Sequence, residues 1–74
     1  MIEVKTEYAS GKPTGISVSN IPNSYYSNVF MTGNDESVLT TGLFEIEAGT
    51  YYVYIRRENI SQSNNYLKVF MFDI

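Results

Sequence analysis

Residues 43–57 read LFEIEAGTYYVYIRR and carry the strongest strand signal in the chain. Seven tyrosines occur in 74 residues, and three of them fall between positions 51 and 54. From residue 50 onward the side chains alternate between two faces, as they do in a β-strand. We expect one face to lie in the core: Tyr51, Val53 and Ile55. The opposite face is a candidate surface and carries Tyr52, Tyr54 and Arg56.

Two local structures fit Gly49, which precedes this strand. A tight turn at residues 48–49 would pair Ile46 with Tyr51 and Phe44 with Val53, which puts both apolar pairs on one side of the sheet. A slip of one residue would break that pattern. The alternative is a corner at which the chain crosses from one sheet to another. Alanine is a poor first residue for a tight hairpin turn, so the corner stays open.

The rest of the chain also alternates with period two and contains no helical pattern. Residues 2–8, IEVKTEY, predict a half-buried strand whose inner face carries Ile2, Val4, Thr6 and Tyr8. Further strands are predicted at 16–19, at 37–47 (one strand broken at Gly42, or two short ones) and at 66–73. Glycine, proline and asparagine mark the turns between them.

The inward face of the strand predicted in residues 25–32 is ambiguous. One register points Tyr26 and Phe30 inward, and the other points Tyr25, Val29 and Met31 inward. We favour the second register, because it groups Val29 with Met31 and buries only the small Ser27. In total, six or seven short strands predict one all-β domain over residues 1–74, a small antiparallel sandwich or barrel.

Composition excludes several classes of site. The chain has neither cysteine nor histidine, so it can form no disulfide, no thiolate or imidazole metal site and no histidine base. Eight acidic residues against five basic ones give a net charge of −3, which argues against binding to nucleic acid or to an anionic membrane. A chain this short buries a small core, so a partner subunit is an expected source of stability.

Candidate chemistry is weak, and we expect no enzyme, no cofactor and no metal. Glu45 and Glu47 share a strand face about 7 Å apart, but we expect them to be solvated charges rather than an acid–base pair. Residues 33–37, GNDES, offer oxygen ligands without the spacing of a calcium loop. The N-terminus has no signal-peptide pattern, so we expect synthesis in a cytoplasm, with a virion as a further possible location.

The C-terminal segment 66–74, YLKVFMFDI, is apolar on both faces apart from Lys68. Leu67, Val69 and Met71 alternate with three aromatic residues: Tyr66, Phe70 and Phe72. Such a strand is either central between two layers or part of an interface. We therefore add these aromatic residues to the candidate interaction surface and expect a homo-oligomer or a chain docked on a partner protein.

The segment from Phe44 to Ile55 resembles the G-x-Y-x-V-x-V/I strand of prealbumin-like and immunoglobulin-like β-sandwich modules. The matching residues are Gly49, Tyr51, Val53 and Ile55. Such modules recur in bacterial surface proteins and in phage virion proteins. The resemblance implies a sandwich fold and a non-catalytic role, and it carries over no functional residue.

These features predict a non-enzymatic module that works by binding protein. An accessory component of a phage particle, such as a capsid decoration or tail protein, suits the small size and the Asn-, Ser-, Thr- and Tyr-rich composition. Two alternatives remain: a small inhibitor of a host enzyme, and a carbohydrate-binding module with Tyr52 and Tyr54 as its stacking platform.

Overall fold

The computed structural model describes residues 1–26, 28–33, 38–58 and 66–74 of the chain. All regular structure in these residues is β. The strands are β1 (Ile2–Tyr8), β2 (Pro13–Ser19), β3 (Phe30–Thr32), β4 (Tyr52–Arg57) and β5 (Leu67–Asp73). The all-β prediction is therefore confirmed, whereas the prediction of a sandwich or barrel of six to seven strands is wrong.

The five strands form two antiparallel sheets. One sheet pairs β1 with β5 over the full length of both strands, from Ile2–Asp73 to Tyr8–Leu67. The other has the order β3-β2-β4, so β2 is its central strand. A shift in register between Pro13 and Gly15 marks a bulge in the pairing of β2 with β4.

The missing strand is the one predicted in residues 37–47, of which the structure describes 38–47. Its first part follows the side of β1 that faces away from β5, but it makes only two isolated bridges, Ile2–Phe44 and Lys5–Thr40. Gly42 lies between these bridges with φ of 68°, a left-handed conformation that interrupts an extended chain. The Thr41 hydroxyl accepts the Val4 N–H at 3.0 Å, and this side-chain bond replaces a backbone bond of a regular ladder.

Of the two structures that fit residues 48–49, the hairpin is not formed. Phe44 bridges to β1, whereas every residue of β4 that is paired lies opposite β2. The segment between them crosses from one sheet to the other, which is the corner alternative. Tyr51 closes this corner, because its hydroxyl donates to the Glu47 carbonyl at 2.5 Å.

The core lies between β1 and the inner face of β2. The described residues bury four apolar side chains: Val4, Ile16, Val18 and Phe44. Half-buried apolar side chains surround them, among them the three that alternation placed on an inner face: Val53 and Ile55 of β4, and Tyr51 just before it. Burial of each large apolar side chain contributes about 1.5–3 kcal/mol, so a core of this size supplies limited stability.

The favoured register of residues 25–32 is wrong. Phe30 is the residue that packs on the core, with its ring stacked on Phe44 at a centroid distance of 4.1 Å. Val29 is instead 48% exposed. The Asn28 side chain donates to the carbonyls of Tyr25 and Tyr26, so the chain turns before β3 begins. The register with Tyr26 inward fails at that residue, because Tyr26 is exposed.

Candidate interaction surfaces

Two aromatic surfaces were predicted from the sequence, and the structure places them in different surroundings. The first is the outer face of the three-stranded sheet, which carries Tyr52, Tyr54 and Arg56 on β4. The second is β5 together with Tyr66, which precedes it. A groove between the two sheets is a third feature that sequence patterns did not indicate.

The outer face of β2 is lined by small residues, Gly15, Ser17 and Ser19, which lie opposite Arg56, Tyr54 and Tyr52 on β4. Both serines are completely buried. This row of small side chains leaves a shallow channel beside the larger β4 residues, and residues 20–26 cover it. The Tyr25 hydroxyl lies so close to Gly15 that a Cβ there would be 2.2 Å from its oxygen.

Hydrogen bonds hold this covering segment to β2. The Ser17 hydroxyl donates to the Tyr25 carbonyl at 2.6 Å, and the Ser19 hydroxyl accepts the Ile21 N–H at 3.0 Å. The Tyr54 hydroxyl accepts the backbone N–H of Asn23. Tyr54 is therefore engaged by its own chain rather than presented as a flat platform.

Arg56 lies over the two tyrosines of the covering segment. Its guanidinium carbon is 5.1 Å from the ring centroid of Tyr25 and 5.3 Å from that of Tyr26, which is cation–π distance. The two rings are nearly perpendicular, at 78°. Burial raises the pKa of the Tyr25 phenol above its ordinary value of 10.0, and the nearby positive charge of Arg56 opposes that rise.

Arg57 has a role that sequence patterns did not reveal. Its guanidinium donates to the carbonyls of Ser10 and Gly11, at 2.7 Å from Nη2 and 3.0 Å from Nε. It therefore holds the connection between β1 and β2 against the end of β4. Local alternation could not reveal this contact, because the partner of Arg57 is more than forty residues away in sequence.

The β5 strand is exposed on both of its faces. Val69 and Met71 share a face with the core residues of β1, yet they are 46% and 65% exposed. The aromatic residues Tyr66, Phe70 and Phe72 are 42–45% exposed. β1 separates β5 from the core, so the inner face of β5 extends beyond the opposite sheet.

The backbone of β5 also has a free edge. Met1 and Ile74 exchange two hydrogen bonds at 2.9 and 2.8 Å, and Ala9 donates to Tyr66. With the antiparallel register of this sheet, even-numbered residues of β5 therefore bond to β1. The N–H and C=O groups of Leu67, Val69, Met71 and Asp73 point away from β1, and among the described strands β1 is the only neighbour of β5.

The groove lies at one end of the molecule, between β1–β5 and the corner before β4. It has a volume of about 480 Å³. Its lining is mainly apolar and includes Ile2, Val18, Ile46, Tyr51, Val53 and Met71. Glu47 and Asp73 also line it. Met71 therefore belongs both to the exposed β5 strand and to the wall of the groove.

Charged side chains form small local pairs elsewhere. Lys5 lies 3.9 Å from Glu3, and the Glu3 carboxylate accepts the Thr40 hydroxyl at 2.8 Å. Glu45 and Glu47 are exposed on the crossing segment. No cluster of three or more acidic side chains within reach of one ion occurs among the described residues. The GNDES candidate at 33–37 falls mostly outside them.

In the described part of the chain, no helix has the length and apolar character needed to cross a membrane. Comparison of the whole chain with protein-family models, with curated proteins and with solved structures gives no match.

Proposed function

We propose that this chain is a non-enzymatic protein-interaction module and that β5 is its contact surface. One observation carries the proposal: β5 exposes two apolar faces together with a backbone edge that no other described strand pairs with. Large exposed apolar patches are uncommon on soluble monomers and mark interaction sites. An unpaired strand edge offers backbone hydrogen bonds to an incoming strand, which is a common mode of recognition.

The outer face of β4 supports this function less well. A carbohydrate platform needs aromatic rings in one accessible plane, whereas Tyr25 and Tyr26 are nearly perpendicular and Tyr54 bonds to the covering segment. Tyr52 alone, at 40% exposure, gives a single ring of moderate accessibility. For these reasons we place the contact surface on β5.

The proposal extends to an accessory structural role in a larger assembly, such as a phage particle. A small chain with a limited core gains stability when a partner covers its apolar strand. Mass spectrometry of density-purified particles from source cultures tests this role. We expect peptides of the chain at a fixed ratio to the main shell protein, and their absence would overturn the particle assignment while leaving a binding role intact.

The binding role is tested with two matched variants. Val69 on β5 and Val29 before β3 are almost equally exposed, at 46% and 48%. Light scattering over a dilution series, and retention of proteins from source-cell extract, compare the original chain with Val69→Lys and Val29→Lys. We expect association, with itself or with another protein, that Val69→Lys abolishes and Val29→Lys retains. Association of neither kind, or association that Val69→Lys leaves unchanged, would overturn β5 as the surface.

A further inference from the structure

We infer that the partner of β5 is a second copy of the same strand, paired antiparallel about a two-fold axis at Phe70. This inference rests on the proposed function of β5 and names its partner. The observation behind it is that the backbone N–H and C=O groups of β5 point alternately toward β1 and away from it. The groups that point away belong to four odd-numbered residues: Leu67, Val69, Met71 and Asp73.

Symmetry limits the possible registers. A two-fold axis that relates two antiparallel strands of one sheet is perpendicular to that sheet, so the inner faces of both copies stay on the same side. The axis passes midway between the two copies of one residue, and these two copies pair with each other. With the axis at Phe70, Val69 pairs with Met71 of the second copy and Leu67 pairs with Asp73. All four free-edge residues of each strand then lie in hydrogen-bonded pairs, with about eight N–H···O bonds in total.

The neighbouring registers are poorer. Moving the axis to Val69 or to Met71 keeps the correct backbone alternation, but it carries one free-edge residue of each copy beyond the end of the partner strand. An axis halfway between two residue positions would pair odd-numbered with even-numbered residues. Their side chains lie on opposite faces, which regular pairing does not allow. The axis at Phe70 therefore satisfies the largest number of backbone groups.

The side chains are compatible with this register. Phe70 meets its own copy in a closely spaced pair, and aromatic cross-strand pairs are favourable. Lys68 lies opposite Phe72 of the second copy, which is the kind of contact that Lys5 already makes with Phe72 at 5.8 Å within one chain. The two charged residues of β5, Lys68 and Asp73, lie on opposite faces, so no like charges oppose each other.

The same pairing reaches the groove between the sheets. Met71 lines that groove, and Val69 of the second copy lies directly across from it on the same face. The result is one continuous sheet in the order β1-β5-β5-β1. A single strand pair is smaller than the about 800 Å² per partner of a standard stable complex, so we expect a dimer that dissociates on dilution.

Single cysteines test the register directly, because the chain contains no cysteine of its own. Phe70→Cys and Phe72→Cys are matched, since the two side chains are 42% and 44% exposed on one face. Paired residues at position 70 have Cα atoms about 4.5 Å apart, which suits a disulfide. The two copies of position 72 are about 13 Å apart along the strands.

After mild oxidation we expect a linked dimer of Phe70→Cys and mostly monomer for Phe72→Cys. A mixture of Lys68→Cys with Phe72→Cys should form the heterodimer, because these positions face each other. Equal linkage of Phe70→Cys and Phe72→Cys, or preferential linkage of Phe72→Cys, would overturn the register. Circular dichroism of the reduced variants shows that each is folded.

Val69→Pro tests the hydrogen bonds. It removes an N–H that points away from β1, and edge strands accept proline at such positions. We expect the dimer dissociation constant to rise about tenfold or more relative to Val69→Ala, which keeps the N–H. A chain that is monomeric at every concentration, yet retains another protein through Val69, would overturn self-pairing while leaving the proposed function standing. Failure of both kinds of association would overturn both.

Discussion

The outer face of β4 and the β5 strand are both rich in aromatic residues, but among the described residues only the face of β4 is covered by another segment. The difference lies in the neighbouring strand. β4 stands beside the small residues Gly15 and Ser17, and the space above them accommodates residues 20–26. β5 stands beside Lys5 and Glu7, which have long charged side chains, so no row of small residues lies next to its outer face. Whether an aromatic face is open to a partner therefore depends on the size of the residues opposite it.

The largest effect is expected for Gly15→Val, which fills the space under the covering segment. The new Cβ would lie 2.2 Å from the Tyr25 hydroxyl and 3.3 Å from the Gly33 carbonyl oxygen. Forcing a larger side chain into a packed site costs about 1–3 kcal/mol, so the free energy of unfolding should fall by that amount. Urea denaturation measures it. Gly49→Ala is the control, because its nearest contacts are ordinary, and a similar loss there would contradict the explanation.

Ser17→Ala should remove one of the bonds that hold the covering segment in place. Its hydroxyl is buried and donates to the Tyr25 carbonyl at 2.6 Å. A hydrogen bond of this kind contributes about 0.5–1.5 kcal/mol, and we expect the free energy of unfolding to fall within that range. Thr50→Ala on the exposed crossing segment serves as the control in the same denaturation experiment. Equal stability of the two variants would show that the segment is held by packing alone.

Arg56→Gln should weaken the contact between β4 and the two tyrosines by a smaller amount. The cation–π contribution at an exposed site is about 0.5–1 kcal/mol, and glutamine retains part of the packing. Thermal unfolding of the variant measures the loss. If stability is unchanged while Ser17→Ala is destabilising, the covering segment depends on β2 and not on Arg56.

The pH dependence of stability should carry a small contribution from Tyr25. Burial raises its pKa in the folded state above the value of 10.0, so the folded chain holds this proton more tightly than the unfolded chain. The contribution is fully present below pH 10 and is lost as the pH rises through the folded pKa. In urea denaturation between pH 8 and 11, the free energy of unfolding should decline more steeply for the original chain than for Tyr25→Phe. Parallel declines of the two chains would contradict a contribution from Tyr25.

The smallest effect on folding is expected on β5. Met71→Thr replaces a side chain that is 65% exposed, and a surface substitution of this kind changes stability by about 0.5 kcal/mol or less. Denaturation at low protein concentration, which disfavours self-association, provides the measurement. A loss as large as that of Gly15→Val would mean that β5 is part of the folded core rather than a surface for a partner.

Local alternation was sufficient to locate four of the strands. The prediction at residues 2–8 coincides with β1, and those at 16–19, 50–57 and 66–73 fall on β2, β4 and β5. The inner face of β4 was also correct, because Val53 and Ile55 pack on the core. These predictions hold because side chains on a strand alternate between faces whatever the strand pairs with.

Pairing was less predictable than strand location. A hairpin between residues 43–47 and 50–55 would have placed both apolar pairs on one side of the sheet, yet Phe44 bridges to Ile2 near the N-terminus. The predicted inward face of residues 25–32 was wrong for a related reason. The Asn28 side chain bonds to nearby carbonyls and makes a turn, which the alternation of apolar residues does not reveal. A polar side chain that bonds to nearby backbone can interrupt a strand without changing its hydrophobic pattern.

The candidate surfaces also separate what local sequence predicts from what long-range contacts decide. Composition and alternation were enough to predict an all-β fold, to exclude thiol and imidazole chemistry, and to identify which tyrosines share a face with Arg56. Only the tertiary structure decided that Tyr25 and Tyr26 cover part of that face and that β5 lies at the edge of its sheet. The physical reason is that alternation depends on consecutive residues, whereas exposure depends on which distant segments meet, such as Gly15 with Tyr25 and β1 with β5.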